Sequence, residues 1–427
     1  MRVPFGALCI VVVGLAWACA DDPIDDVRPV QPGGTGGDGG DGGAGGAAGE
    51  AGEGGEGGTA GTGGEGGEGG SDFQPPVDLG EHLRFWRLPG PAWSVSADRG
   101  GNLWAANGRD LLLLRAGAES WESFGEKDGL PHPVLAVAGG EDLEVWVGYE
   151  GLFPDANPFD DPEEIAKTGD ADRIRLQPDG TLDRFHYDIS SPPSDQYPEG
   201  RDNVRTCYRI VPVLDGPFRG DVWFGCNHGV AMWSARFGRV FEHVHTAINI
   251  GDSLFTGDFR GVAVAPDGNV WIGAAARTGR ILYATQGGNF WAPIDPEIDV
   301  WPEGIAFDPD GHDWVMALAA DERGGLWIGS FGNGLAYRAA DGSLAYLTTA
   351  EGLLDNRMRD LALDPDGSLW VANEAGLVRI VSGRVAQVID AREGLPGAVV
   401  SVFVDAWSHP RRVIVGTTQG VAVYDGP

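Results

Sequence analysis

Val262-Ala263-Val264-Ala265-Pro266-Asp267-Gly268-Asn269-Val270-Trp271-Ile272-Gly273 is the stretch that decides the fold. A short apolar strand runs into an Asp-Gly turn, and a second strand opens on Val-Trp. Alternation along each strand buries one side chain in two. The same phrase returns from Ser94 to Trp104, from Ala319 to Gly329 and from Leu361 to Val371. Looser copies end at Val145-Trp146-Val147-Gly148 and Val222-Trp223-Phe224-Gly225, and a last one, Val413-Ile414-Val415-Gly416, replaces the tryptophan. A third strand follows, such as Gly334-Leu335-Ala336-Tyr337 or Gly376 to Ile380, and then a fourth, such as Ala345-Tyr346-Leu347 or Val385 to Ile389.

Four strands per unit, recurring mostly at intervals of 42–56 residues, is the signature of β-propeller blades. A lone four-stranded sheet leaves both faces bare, so blades must pack on one another, with the repeated tryptophan as filler. The anchors Trp104, Trp146, Trp223, Trp271, Trp327, Trp370 and Ile414 give an all-β, seven-bladed propeller over 82–427. The last unit runs out after Gly420 to Tyr424, while His82 to Leu88 has no partner of its own. That N-terminal segment is therefore expected to supply the missing outer strand and close the ring. Two irregularities leave six or eight blades open: an extra insertion around Pro154 to Asp172 and Pro192 to Arg201, and a hairpin-like Ile305 to Gly311 close to Trp327.

Composition narrows the function. Of the 63 acidic residues 13 precede Glu81, leaving 50 against 28 basic ones in the repeat region. Such a domain has no electrostatic means of attracting nucleic acid or anionic lipid. The N-terminus reads as an export signal: Arg2, an apolar run from Val3 to Trp17, then Ala18-Cys19. The run is shorter than the roughly 20 residues of a spanning helix. A cysteine after small residues resembles the lipobox of bacterial lipoproteins, which implies a signal peptide over 1–18 and lipidation of Cys19. Ordinary cleavage near Ala18 or Ala20 is the alternative. Residues 33–71 are almost all Gly, Ala, Thr and acid, without aromatic or β-branched aliphatic side chains. They cannot offset the entropy of ordering, so 19–81 reads as a disordered tether, its glycine-rich part reaching about 35 Å. The expected place is the envelope of a Gram-negative bacterium, on the periplasmic or cell-surface side, as a monomer anchored to the membrane through its N-terminal lipid.

The repeat, with its links Asp128-Gly129-Leu130-Pro131, Glu351-Gly352-Leu353-Leu354 and Glu393-Gly394-Leu395-Pro396, resembles the two-component regulator propeller repeat. That family is best known as the periplasmic sensor half of membrane receptors, often linked to polysaccharide sensing. No kinase or DNA-binding module is expected after Pro427, so the resemblance implies a binding propeller and not signalling. Pro266 to Trp271 and Pro302-Glu303-Gly304-Ile305 also resemble streptogramin (virginiamycin B) lyases. Blades of that family continue Trp-Phe-Thr-Glu, with hub His and Glu holding magnesium. Here Ile-Gly, Val-Ala or Phe-Gly follows the tryptophan, and neither a base nor an anion stabiliser can be placed.

Candidate residues follow from the innermost strands, which line a propeller's channel. Arg260 and Arg359 each lie eleven residues before their tryptophan, and Arg205 begins the matching strand of the third unit. Three guanidiniums at one mouth would make an anion or carboxylate clamp; pairing with Asp258, Asp360 or Asp202 would instead make them structural. Asp308 to Gly311 and Asp364 to Gly367 lack the ligand offsets of a calcium loop, so no metal and no cofactor is called for. Cys207 and Cys226 flank one hairpin. Pairing Ile210 to Pro212 with Asp221 to Trp223 sets them opposite and permits a disulfide, whereas a one-residue slip puts them on opposite faces. The expected function is a ligand- or partner-binding module for carbohydrate, peptide or protein, with no catalytic residue. The alternatives are a lyase-like enzyme and a structural envelope protein.

Overall fold

The first six copies of the repeat each fold as an antiparallel four-stranded meander. In this computed structural model the described residues are 73–131, 133–151, 169–187, 189, 206–226, 229–244, 258–275, 280–285, 298–299 and 314–426. The chain divides into units Met1–Gly67 and Glu68–Pro427, and every described residue lies in the second. Cys19, Arg205, most of the 154–201 insertion and the Ile305 to Gly311 segment lie outside the described residues.

Among the described residues there are seven antiparallel sheets, six of four strands and one of five. Their innermost strands are Ser94–Ala97, Val134–Gly139, Cys207–Pro212, Asp258–Val264, Val315–Ala320, Met358–Leu363 and Val399–Asp405. Each innermost strand packs on the next, and Val399–Asp405 packs back on Ser94–Ala97, so they form a ring. The architecture is a β-propeller. No α-helix occurs among the described residues; two short 3-10 turns occupy Glu126–Asp128 and Thr349–Glu351.

Closure is made by the N-terminus. Strand Leu83–Arg87 pairs antiparallel with Gly420–Tyr424, with Phe85 opposite Ala422 and Trp86 opposite Val421. Val77–Asp78 adds a fifth strand outside it. The last sheet thus takes its outer strands from the opposite end of the domain, and no bare edge is left at the join.

The repeated anchor does what its size suggests. Each of the seven anchors sits in a separate hydrophobic cluster with the following sheet. Trp104 packs with Val134, Val137 and Val147, Trp223 with Phe259 and Val262, and Trp370 with Val399, Val402 and Phe85. Ile414 packs with Val95 and Ala97 of the first sheet, where the ring closes. The hairpin aspartate has a second task besides making the turn. Six residues before the tryptophan, Asp98 accepts from the Trp104 indole at 2.9 Å, and Asp364 from that of Trp370 at 3.4 Å.

The Gly-Leu links are equally determined. Gly129, Gly352 and Gly394 hold φ of 81°, 103° and 91°, a region that favours glycine. The acid before each one accepts a backbone N–H three residues back: Asp128 from Gly125, Glu351 from Thr348 and Glu393 from Asp390. The leucine after each, Leu130, Leu353 or Leu395, is buried between sheets.

Candidate functional site

The ring encloses a cavity of about 640 Å³ along its axis. Its chemistry is set by a recurrent irregularity. In six of the seven sheets the innermost strand carries a β-bulge just after its start, an extra residue with no partner on the second strand. The bulges fall at Leu135, Tyr208, Phe259–Arg260, Met316, Arg359 and Val400. A bulge re-aims side chains, and Leu135, Tyr208, Arg260, Met316, Arg359 and Val400 all line the cavity. The first sheet has no bulge and contributes Trp93 and Ser94. One mouth is therefore rimmed by one re-aimed residue from each of the six bulged sheets, and Val134, Cys207, Val315, Met358 and Val399, each just before a bulge, are buried.

Two of the sequence candidates meet here. The Arg260 guanidinium carbon lies 4.0 Å from the centroid of the Tyr208 ring on the neighbouring sheet. That of Arg359 lies 4.7 Å from Phe331, which is itself stacked at 24° on Trp314. Each cation is thus backed by an aromatic face. Arg359 also pairs with Glu374, which holds Arg357 at 2.7 Å, and its buried Nε has no hydrogen-bond partner. Trp93 stands 48 % exposed on the rim. Arg205, the third candidate, lies outside the described residues; the bulge position of the third sheet that matches Arg260 and Arg359 is Tyr208.

A cation that the sequence did not single out lies deeper. Arg209, on the third sheet, reaches across to Asp360 on the sixth, at 2.5 Å. Asp360 is almost buried and also accepts the backbone N–H of Leu361 at 2.9 Å and of Val402 at 3.1 Å. Asp360 thus anchors a bar that ties three sheets together across the channel, while the carboxylate partner of Arg359 is Glu374. At the cavity's other end Arg99 lies over Trp407, 5.9 Å from its centroid. It pairs there with Asp215 and, at 3.2 Å, with Glu141.

Away from the channel, the second sheet holds a compact charged group on its outer strands. Asp172 is fully buried and receives Tyr149 Oη at 2.7 Å, Arg184 Nη2 at 2.7 Å and His186 Nδ1 at 2.8 Å. Hydrogen bonds to Asp170 and then Asp172 raise His186 to about 10. Burial pushes Asp172 upward, but the bonds from His186 and Tyr149 and the charge of Arg184 outweigh it, and its pKa falls below the ordinary value. Among the described residues no group of three or more His, Cys, Asp or Glu side chains is arranged to hold a metal ion. No helix among them is long and apolar enough to cross a membrane.

The register around the cysteines differs from expectation in detail. Ile210 pairs with Phe224 and Pro212 with Val222, one residue out of the anticipated alignment, and the bulge at Tyr208 restores Cys207 opposite Cys226. Both thiols are buried and free.

These features define a propeller with a ligand-sized channel rimmed by aromatic-backed arginines. Residues 352–375, which hold a Gly-Leu link, a bulged inner strand and a Trp hairpin, match the family model described as two component regulator propeller. The match spans a single repeat of the chain. Among solved structures it is similar to the extracellular domain of a putative hybrid two component system from B. thetaiotaomicron, at 17 % identity and a TM-score of 0.56. That match covers 79 % of this chain and 39 % of the other, so the chain spans about two fifths of that protein. It is also similar to virginiamycin B lyase from Staphylococcus aureus, at 14 % identity and a TM-score of 0.52, covering 80 % of this chain and 98 % of the lyase. PorZ, an essential bacterial surface component of the type-IX secretion system of Porphyromonas gingivalis, matches at 16 % identity and a TM-score of 0.53, with 80 % and 47 % covered. At these identities the likeness is one of fold. No curated protein matches.

Proposed function

We propose that the chain is an exported, seven-bladed binding propeller without catalytic activity, whose channel mouth takes a carbohydrate, peptide or protein group. In this reading a signal peptide over 1–18 is removed and Cys19 is lipidated. Residues 19–81 tether the domain to an envelope membrane, and 82–427 is the binding part of a monomer. One observation carries the binding assignment: Arg260 on Tyr208 and Arg359 on Phe331 share one rim with exposed Trp93, above a cavity of about 640 Å³. The two guanidiniums give the rim positive charge suited to a carboxylate or a similar anion, and the rings offer flat faces to a sugar or a side chain. Such convergent polar groups around an apolar pocket are the usual form of a ligand site. The test is a glycan and peptide panel probed with the intact protein. Acid-bearing members should bind, and Arg260→Ala with Arg359→Ala should abolish the signal; the same hits with the double variant would refute the assignment.

The second reading is an elimination enzyme of the streptogramin lyase type, favoured by the 98 % coverage of that lyase. Elimination needs a base. Among the described lining residues the carboxylate is Asp360, already committed to Arg209 and two backbone N–H groups. Incubation with a streptogramin B and detection of a ring-opened product would favour this reading over binding.

A further inference from the structure

The bulge at Tyr208 begins beside two opposed thiols. Cys207 and Cys226 are register partners on the first two strands of the third sheet, and both are completely buried. Directly opposed residues of an antiparallel pair have Cα atoms about 4.5 or 5.5 Å apart and share a face of the sheet. A disulfide spans Cα separations of roughly 4.4–6.8 Å, so the Cα spacing of either kind of pair falls within its range. The matching pairs of the other bulged sheets are Val134 with Tyr149, Asp258 with Ala275, Val315 with Ser330, Met358 with Asn373, and Val399 with Thr417. Only the third sheet, among these, holds two groups that can be joined.

We infer that Cys207 and Cys226 form a disulfide that clamps the bulge presenting Tyr208 and Arg209 to the channel. Three features of the mouth start from residues next to Cys207: the ring under Arg260, the contact of Arg209 Nε with the Arg260 carbonyl, and the bar from Arg209 to Asp360. A bulge interrupts the ladder, and a covalent link at the adjacent pair restores the constraint that the ladder loses. The chemistry is thiol–disulfide exchange. One S–S bond forms as the two thiols give up two protons and two electrons to an acceptor disulfide, glutathione or a protein, which leaves as two thiols. Burial, and then the contact with Cys226, push the Cys207 thiol well above its ordinary range. Thiolate is therefore scarce in the folded chain, the bond is made while the sheet is being laid down, and it is then shielded from reductant.

The experiment uses the full chain, unfolded with dithiothreitol and refolded with or without glutathione disulfide, followed by denaturing alkylation and peptide mapping. The expected product is a peptide linking Cys207 to Cys226, two hydrogens lighter than the reduced pair. Alkylation of both cysteines, or glutathione on each, would overturn the bond. Hydrogen exchange of the oxidised and reduced forms reads the clamp. Amides of 207–211 should exchange about tenfold more slowly when oxidised, and the Tm should rise by on the order of 5 °C. Cys207→Ser with Cys226→Ser should show neither response to oxidant. Equal exchange in both forms would overturn the clamp. Neither readout involves a ligand, so these outcomes stand apart from the binding assignment.

Discussion

Arg260 and Arg359 owe their place on the rim to β-bulges in otherwise regular strands. Their common spacing before a tryptophan made them legible in the sequence, because the hairpin between bulge and anchor has the same length in both units. Arg209 was illegible for the converse reason. Its hairpin is longer, and the bulge that turns it inward leaves no trace in composition or alternation. Removing it exposes what it balances: Arg209→Ala leaves the carboxylate of Asp360 without its counter-charge, and denaturant unfolding should show a loss of about 3 kcal/mol. Asp360→Asn added to that variant should recover part of the loss. A titration tests the second-sheet group. His186 has its pKa raised from 6.5 to about 10 by Asp170 and Asp172, so its stabilisation is complete below pH 6.5 and fades as pH rises through 10. His186→Ala should thus lower the Tm at pH 6 and change it little above pH 10. The ring is half exposed, so solvent screening keeps the effect within about 1 kcal/mol. A Tm deficit that grows with pH would contradict the arrangement.

At the scale of strands and links the repeat was legible almost entirely, since each of its letters has a separate physical duty. The aspartate turns the chain and, at Asp98 and Asp364, binds the indole, the indole fills the gap to the next sheet, and the Gly-Leu pair turns left-handed and then plugs. Trp370 is 2 % exposed in a cluster that includes Phe85 of the closing strand. Trp370→Ala should therefore cost about 4 kcal/mol in chemical denaturation, while Trp93→Ala on the rim should cost well under 1 kcal/mol. Gly352→Ala tests the link alone. With φ at 103°, the added Cβ is strained, and a loss of about 1 kcal/mol or more is expected. Strand pairing between the cysteines was readable only in outcome: the anticipated register was one residue out, and an unforeseen bulge compensated for it. Alternation fixes which residues face inward, and a bulge breaks alternation without changing the residue types around it.

At the scale of the whole molecule, the sequence carried the ring through an arithmetic of strands: a last unit one strand short and a first segment one strand over. The channel's chemistry was less legible, because contacts such as Arg209 to Asp360 join residues 151 positions apart that no local pattern relates. The rim exists only if the ring is shut, since the innermost strands of the first and last sheets must meet for Trp93 and Val400 to line one cavity. Native-state hydrogen exchange on the intact protein measures this directly. If Leu83–Arg87 closes the last sheet, its amides and those of Gly420–Tyr424 should exchange together, only through global opening, with protection of at least about 10⁴. Exchange of Leu83–Arg87 orders of magnitude faster than Gly420–Tyr424, as in a frayed terminus, would contradict a closed ring and remove the basis for a channel site.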